Sequence, residues 1–211
     1  MELNDEPAQS PVRASASVVM VRDGPAGLEV LLLKRHGLSD VLGGAYVFPG
    51  GKVDEEDAAP ALQVALDLAP AQLHARLHEP ELAPVDAAAL FVAALRETFE
   101  ESGVLFARGI TAQDALAACR MLREGRRFDE VVARADLVLA ASELVPWSRW
   151  ITPAVGGVIR KRFDTRFFLA RVPPGQAARH DERETIESAC LARREALRRY
   201  WNGAIQLAPF Q

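Results

Sequence analysis

The sequence predicts an α/β fold of the α+β kind, built on a mixed sheet rather than a doubly wound parallel one. Three observations lead there. Strand-like apolar runs are joined by hairpin turns, one long helical pattern ends on a glycine, and an Ala/Leu-rich segment is cut by four prolines into short helices. A chain of 211 residues has room for one domain with a real core.

In chain order, "ASASVVMV" from Ala14 to Val21 reads as a strand, "RDGPAG" as a turn, and "LEVLLLKR" as a second strand buried on both faces. "GLSDVLGG" is a loop, and "AYVFPGG" a short strand that ends in a Pro-Gly-Gly break. Pro60, Pro70, Pro80 and Pro84 then divide a helical insertion, residues 58–85, expected to pack on the outside. Asp86 is placed to cap the long helix "AAALFVAALRETFEES", and Gly103 to close it in the left-handed conformation. Helical composition resumes at Thr111, where Thr111 and Asp114 form a capping box, and continues to about Arg134. Strands are expected at "LVPWSRWIT", "RFDTRFFLARV" and "TIESACLA", and a last helix at "REALRRYW". Residues 1–13 read as a disordered leader and 14–211 as the domain.

Composition narrows the function. Hydrophobic residues make up 49% and charged residues 26%, and no apolar run approaches the roughly 20 residues of a membrane helix. The start lacks a basic segment followed by an apolar one, so no signal peptide is expected. Cys119 and Cys190 are too few for a disulfide scaffold or a zinc site, which suits a reducing, cytoplasmic compartment. A net charge of -4 argues against nucleic-acid binding through a basic surface.

The long helix holds an anomaly. On a helical wheel Phe91, Val92, Leu95 and Phe99 share the core face, and Glu97, Glu100 and Glu101 share the other. Glu97 and Glu101 are a like-charge i, i+4 pair, worth roughly 0.2–0.5 kcal/mol of destabilisation in an isolated helix. All three lie near the C-terminus, where the helix dipole disfavours anions by about 0.3–1 kcal/mol each. A solvated acidic face is the bland explanation. A divalent cation would turn every one of these penalties into an attraction, and carboxylates without His or Cys select a hard ion such as Mg²⁺ or Mn²⁺.

These residues carry a resemblance. Gly51, five residues, Asp57, and later Arg96-Glu97-Thr98-Phe99-Glu100-Glu101-Ser102-Gly103-Val104 resemble the Nudix box, G-x5-E-x7-R-E-U-x-E-E-x-G-U with U bulky and apolar. Asp57 stands for the expected Glu, Thr98 for an apolar residue, and 38 residues, 58 to 95, separate the halves where the family has seven. The peroxisomal coenzyme A diphosphatase-like subgroup is similar in having a split box, and "SRWITP", "KRFDTRFFLA" and the closing "ETIES…EALRR" also resemble it. Upstream, Leu31, Leu32, Arg35, Gly44 and Phe48 fall in register with the coenzyme A hydrolase signature, while His36 and Asp40 depart from it. A strand, loop and strand common to Nudix folds would give the same register.

The resemblance implies an α/β/α sandwich and a Mg²⁺- or Mn²⁺-dependent hydrolase of nucleoside-diphosphate-linked compounds, with coenzyme A or its thioesters as first substrate. It implies that Glu97, Glu100 and Glu101 hold metal, with Glu97 or another glutamate as base. Arg96 is then expected to point away from the metal and pair with Asp57, Gly103 to end the helix, and Arg35, Gly50 and Gly51 to face substrate. A distal carboxylate is expected at Glu184 or Glu187. Nucleotide sugars, ADP-ribose and modified nucleoside triphosphates are alternative substrates, and a non-catalytic nucleotide-binding module is the alternative of another class. The expected partner is a small diphosphate compound, with a homodimer allowed and neither nucleic acid nor membrane.

Other constellations read more plainly. His74 and His78 have i, i+4 spacing but no third ligand, so solvent-facing helix histidines are expected. Trp147 and Trp150 read as core or edge packing, with stacking on an adenine as the sharper reading. Arg160, Lys161 and Arg162 read as a solvated turn.

Overall fold

The computed structural model describes residues 11–25, 27–37, 43–153, 162–178 and 185–207. Seven strands form one mixed sheet: β1 (Val12–Gly24), β2 (Gly27–Arg35), β3 (Tyr46–Val47), β4 (Gly50–Lys52), β5 (Val145–Ile151), β6 (Arg162–Arg171) and β7 (Thr185–Ala192). The order is β3-β2-β1-β6-β5, with β4 also pairing β1 and β7 pairing β2. Only β1 and β6 run parallel; the other pairs are antiparallel. Among the described residues six α-helices accompany it: α1 (Pro60–Val64), α2 (Pro70–Leu77), α3 (Pro84–Ser102), α4 (Ala112–Arg123), α5 (Phe128–Arg134) and α6 (Arg193–Trp201).

The two-residue period of the strands sorts side chains into two cores, one on each sheet face. Leu31 and Leu33 join Ala16, Val18, Met20 and Phe168 in the larger core, beneath α3. Leu32 points the other way, into a smaller cluster with Tyr46, Leu191, Ala196 of α6 and Ile205. The "VLLL" run is therefore apolar because both faces of β2 are covered. No helix among the described residues is long and apolar enough to cross a membrane.

Several expectations need correction. Asp86 does not cap α3; the helix begins at Pro84, after Ala83 in the cap position. Proline at the first helical position has its φ set in advance and lacks an N–H that would go unpaired there, so it outcompetes the side-chain cap. Asp86 lies in the first turn instead. The segment between Asp57 and Arg96 does not lie outside the core, because Leu62, Leu66 and Leu73 are buried in the larger cluster. With α1 and α2 packed on α3 opposite the sheet, every residue from Ala87 to Leu95 is buried. The wheel's polar face is thus confined to the last turns. β1 starts at Val12, inside the stretch read as a leader. The capping box on α4 is present: the Asp114 amide donates to Thr111 Oγ1 at 3.3 Å and the Thr111 amide to Asp114 Oδ2 at 2.8 Å.

Candidate active site

The site is assembled where the end of α3 meets β4. Gly103 terminates the helix with φ 69°, its amide donating to the Phe99 carbonyl at 2.9 Å, which fixes how far the acidic turns run. β4 lies against that end so closely that a Cβ on Gly51 would fall 2.4 Å from Glu97 Oε1. A Cβ on Gly50, at φ 155°, would meet the Ala16 carbonyl oxygen at 2.4 Å. The Gly-Gly pair is required by close approach on both sides of the strand. The Gly50 amide donates to Glu101 Oε2 at 3.0 Å, which orients a carboxylate that is only 6% exposed. Glycines expected to face substrate thus face the carboxylates.

Arg96 and Asp57 join across 39 positions. Arg96 Nε donates to Asp57 Oδ1 at 2.7 Å and Nη2 to Oδ2 at 2.9 Å, a two-pronged contact with planar complementarity. Asp57 is fully buried and also accepts the Asp54 amide at 2.8 Å, within a 3₁₀ turn, Glu55–Ala58. That turn brings the short Asp57 side chain within reach of Arg96. Arg96 Nη2 further donates to the Lys52 carbonyl at 3.1 Å, tying β4 into the clamp. The expectation that Arg96 points away from the acidic face is corrected, because Nη1 donates to Glu97 Oε1 at 2.8 Å and Glu100 Oε2 at 3.1 Å. A long guanidinium one residue before Glu97 and four before Glu100 reaches both while its other edge holds Asp57.

The electrostatics follow from this crowding. Burial works against the Arg96 charge, but the Asp57 hydrogen bond and the charges of Glu97, Asp57 and Glu100 outweigh it and raise the pKa. Burial also raises the Glu100 pKa, and Arg96 offsets that only in part. As donors, Glu97, Glu100 and Glu101 fit a hard divalent ion: all oxygen, all anionic, on adjacent turns beside a tight backbone. Among the described residues no three such side chains converge on one point, since Arg96 draws Glu97 and Glu100 toward itself.

The remaining candidates fall elsewhere. Arg35 ends β2 with its Nε buried and without a hydrogen-bond partner among the described residues. Glu187 on β7 pairs with Lys34 at 3.6 Å. It also bonds Tyr46, whose hydroxyl is pushed up to about 12 by burial and by Glu187. No described contact brings Glu187 to α3. Glu184, Arg160 and Lys161 lie outside the described residues, and Arg162 donates to the Thr152 carbonyl at 3.1 Å. His74 is half-buried, with Nε2 3.0 Å from the Glu79 carbonyl oxygen, and His78 takes the left-handed cap of α2, so they form no metal pair. Trp147 and Trp150 are 63% and 43% exposed on the edge strand β5, which corrects the core reading.

Sequence reasoning missed a second charged assembly. Buried Arg166 on β6 donates through Nε to Glu79 Oε1 at 3.0 Å and lies 2.8 Å from Asp164, while Arg149 on β5 reaches Glu79 at 2.9 Å and Asp164 at 2.7 Å. Glu79 follows α2, so this seam fastens the segment between the box halves to the sheet. Partners 87 positions apart leave no local signal. A concavity of about 470 Å³ between α1 and α2, lined by Pro60, Gln63, Val64 and Leu66, involves none of the carboxylates above.

The family model described as the NUDT19 Nudix domain matches residues 8–211. The chain is similar to the acyl-coenzyme A diphosphatase NUDT19 of Gallus gallus, 30% identical over 97% of this chain and 63% of that protein. It is 29% identical to that of Homo sapiens over 80% of this chain and 58% of the other. The chain thus spans about three-fifths of these relatives' length. A Nudix hydrolase structure from Alicyclobacillus acidocaldarius superposes with a TM-score of 0.70 at 26% identity, covering 96% of this chain and 88% of the other. The Nudix domain of Shewanella oneidensis NrtR, solved with ADP ribose, shares the fold alone, with a TM-score of 0.51 at 14% identity. With the family model matched over residues 8–211, the chain belongs to the NUDT19 family of Nudix hydrolases.

Proposed function

We propose that this chain is a divalent-metal-dependent hydrolase that cleaves the diphosphate of coenzyme A or acyl-coenzyme A. The observation that carries the reading is the end of α3, where Glu97 lies against Gly51, Glu101 accepts the Gly50 amide, and a half-buried Arg96 joins buried Asp57 to Glu97 and Glu100. Glu97, Glu100 and Glu101 would hold Mg²⁺ or Mn²⁺, which neutralises diphosphate charge and makes a bound water a better nucleophile. Glu101 supplies a carboxylate pre-oriented by the Gly50 amide. Arg96 holds β4 and the acids in one frame. Glu97 or another of these glutamates would act as the base that accepts a proton from the attacking water. Arg35 Nε, buried and without a hydrogen-bond partner among the described residues, is a donor suited to phosphate. The names of the relatives favour an acyl-coenzyme A thioester over nucleotide sugars or ADP-ribose.

The test is turnover of a panel of diphosphate compounds with Mg²⁺, both products being identified by mass spectrometry. Release of a phosphopantetheine product and adenosine 3′,5′-bisphosphate is expected from coenzyme A esters. Preference for ADP-ribose or a nucleotide sugar would reassign the substrate, and no turnover with either metal would point to a binding module.

A further inference from the structure

The segment between the box halves contains a depression with a definite cause. Residues 65–67 are pulled down onto Leu139, whose amide donates to the Ala65 carbonyl at 2.7 Å and whose carbonyl accepts the Asp67 amide at 2.9 Å. Leu66 is thereby buried, while Val64 before it is 85% exposed and Ala69 after it is exposed. Pro60 and Pro70 start α1 and α2 on either side, so the pinned connection makes a floor and the two helices make its rim. The result is the concavity of about 470 Å³.

Its polar lining is already engaged by the protein. Gln63 Nε2 donates to the Ala58 and Val85 carbonyls at 3.2 and 3.3 Å, and Asp67 accepts the Ser142 amide at 3.0 Å and Arg108 Nε at 2.9 Å. What is left to meet a ligand is the apolar surface of Pro60, Val64, Leu66, Leu68 and Pro70. The volume is that of a small-molecule site, and such sites are mostly apolar. Among the described residues no Lys or Arg lines it, so its chemistry suits an uncharged chain and not a phosphate.

The concavity adjoins the carboxylate site along the chain. Asp57, held by Arg96, stands three residues before Pro60, a span of at most about 11 Å. Coenzyme A carries its thioester at the far end of an arm about as long as four extended residues, roughly 14 Å, so phosphates bound at the end of α3 leave the acyl group within reach of α1. We propose that the concavity between α1 and α2 receives the acyl chain of a coenzyme A thioester, and that the segment splitting the box sets the chain-length preference. The inference rests on the diphosphatase reading and adds a place for the apolar end of the substrate. Apolar area is the driving force, since each methylene taken out of water is worth up to about a fourfold gain in affinity.

The experiment is calorimetric titration of the full chain with the acetyl and octanoyl thioesters of phosphopantetheine, which carry no diphosphate to be cleaved, alongside KM for the two corresponding coenzyme A esters with Mg²⁺. It compares wild type, Val64→Asp, Val64→Ile and, as a control on another exposed apolar side chain, Leu116→Asp on α4. Wild type is expected to bind the octanoyl compound at least roughly tenfold more tightly than the acetyl one, with KM following the same order. Val64→Asp should bring octanoyl down to the level of acetyl, Val64→Ile should keep the preference, and Leu116→Asp should behave as wild type. Equal binding of the two thioesters by wild type, a preference that persists in Val64→Asp, or an equal loss in Leu116→Asp would overturn the proposal. Hydrolysis of both coenzyme A esters at equal KM strikes the concavity and leaves the diphosphatase reading standing. An octanoyl preference that depends on Val64, without hydrolysis of any diphosphate, does the reverse.

Discussion

Two arginine-carboxylate assemblies hold the segment between the box halves, and they differ in charge balance. At the end of α3, Arg96 and Lys52 pair with Asp54, Asp57, Glu97 and Glu100, and Glu101 accepts the Gly50 amide beside them, so two cations stand among five carboxylates of the described residues. At the seam, Arg149 and Arg166 face Glu79, Glu81 and Asp164, two against three. Both assemblies are made of two-pronged contacts on partly buried groups. Among the described residues the first has a formal surplus of three negative charges and the second of one. The seam is balanced enough to be a fastening; the α3 assembly is suited to receive a multivalent cation from outside.

That contrast can be broken by substitution. Glu101→Gln keeps size and burial but removes an anionic oxygen, so turnover should fall by at least roughly 100-fold with the circular dichroism spectrum intact. Near wild-type activity at saturating Mg²⁺ would move the metal site elsewhere. Arg96→Ala leaves Asp57 buried without its partner, and denaturant melts should show a loss of about 3–5 kcal/mol together with reduced activity. Glu79→Ala at the seam should cost about 2–3 kcal/mol, less because Asp164 still pairs with Arg166, and should leave kcat nearly unchanged. Equal kinetic damage from Arg96→Ala and Glu79→Ala would erase the distinction between site and fastening.

The smallest effect is with pH. Burial alone would raise the Asp164 pKa, but the Arg149 hydrogen bond and the nearby Arg166 charge lower it overall. A depressed folded pKa gives stability that is full above the unfolded value of about 3.9 and is lost as pH falls through the folded one. Acid melts should therefore lose part of their pH dependence below about pH 3.9 in Asp164→Asn. An unchanged acid limb would mean the seam is too solvated to matter.

Legibility in the sequence divided along the same line. Elements with a period or a cap were readable: β2 from its apolar run, α4 from Thr111 and Asp114, and the end of α3 from Gly103. The pairing of Arg96 with Asp57 was readable only through a resemblance, because no spacing rule connects residues 39 apart. The reach of Arg96 back to Glu97 and Glu100 was not, since a wheel assigns side chains to faces but not long side chains to targets. The seam was invisible because Glu79 meets Arg166 only once α2 has been packed on α3. The same packing buries Ala87 to Leu95, a stretch whose composition is compatible with one covered face or two.

If the carboxylates at the end of α3 form a divalent-cation site, the melting temperature with and without Mg²⁺ or Mn²⁺ for wild type and Glu101→Gln will show it. At a hundredfold excess over Kd, binding to the folded chain alone should stabilise wild type by about 2.7 kcal/mol, and the shift should largely vanish in the variant. No shift in wild type, or an equal shift in both proteins, would contradict the account.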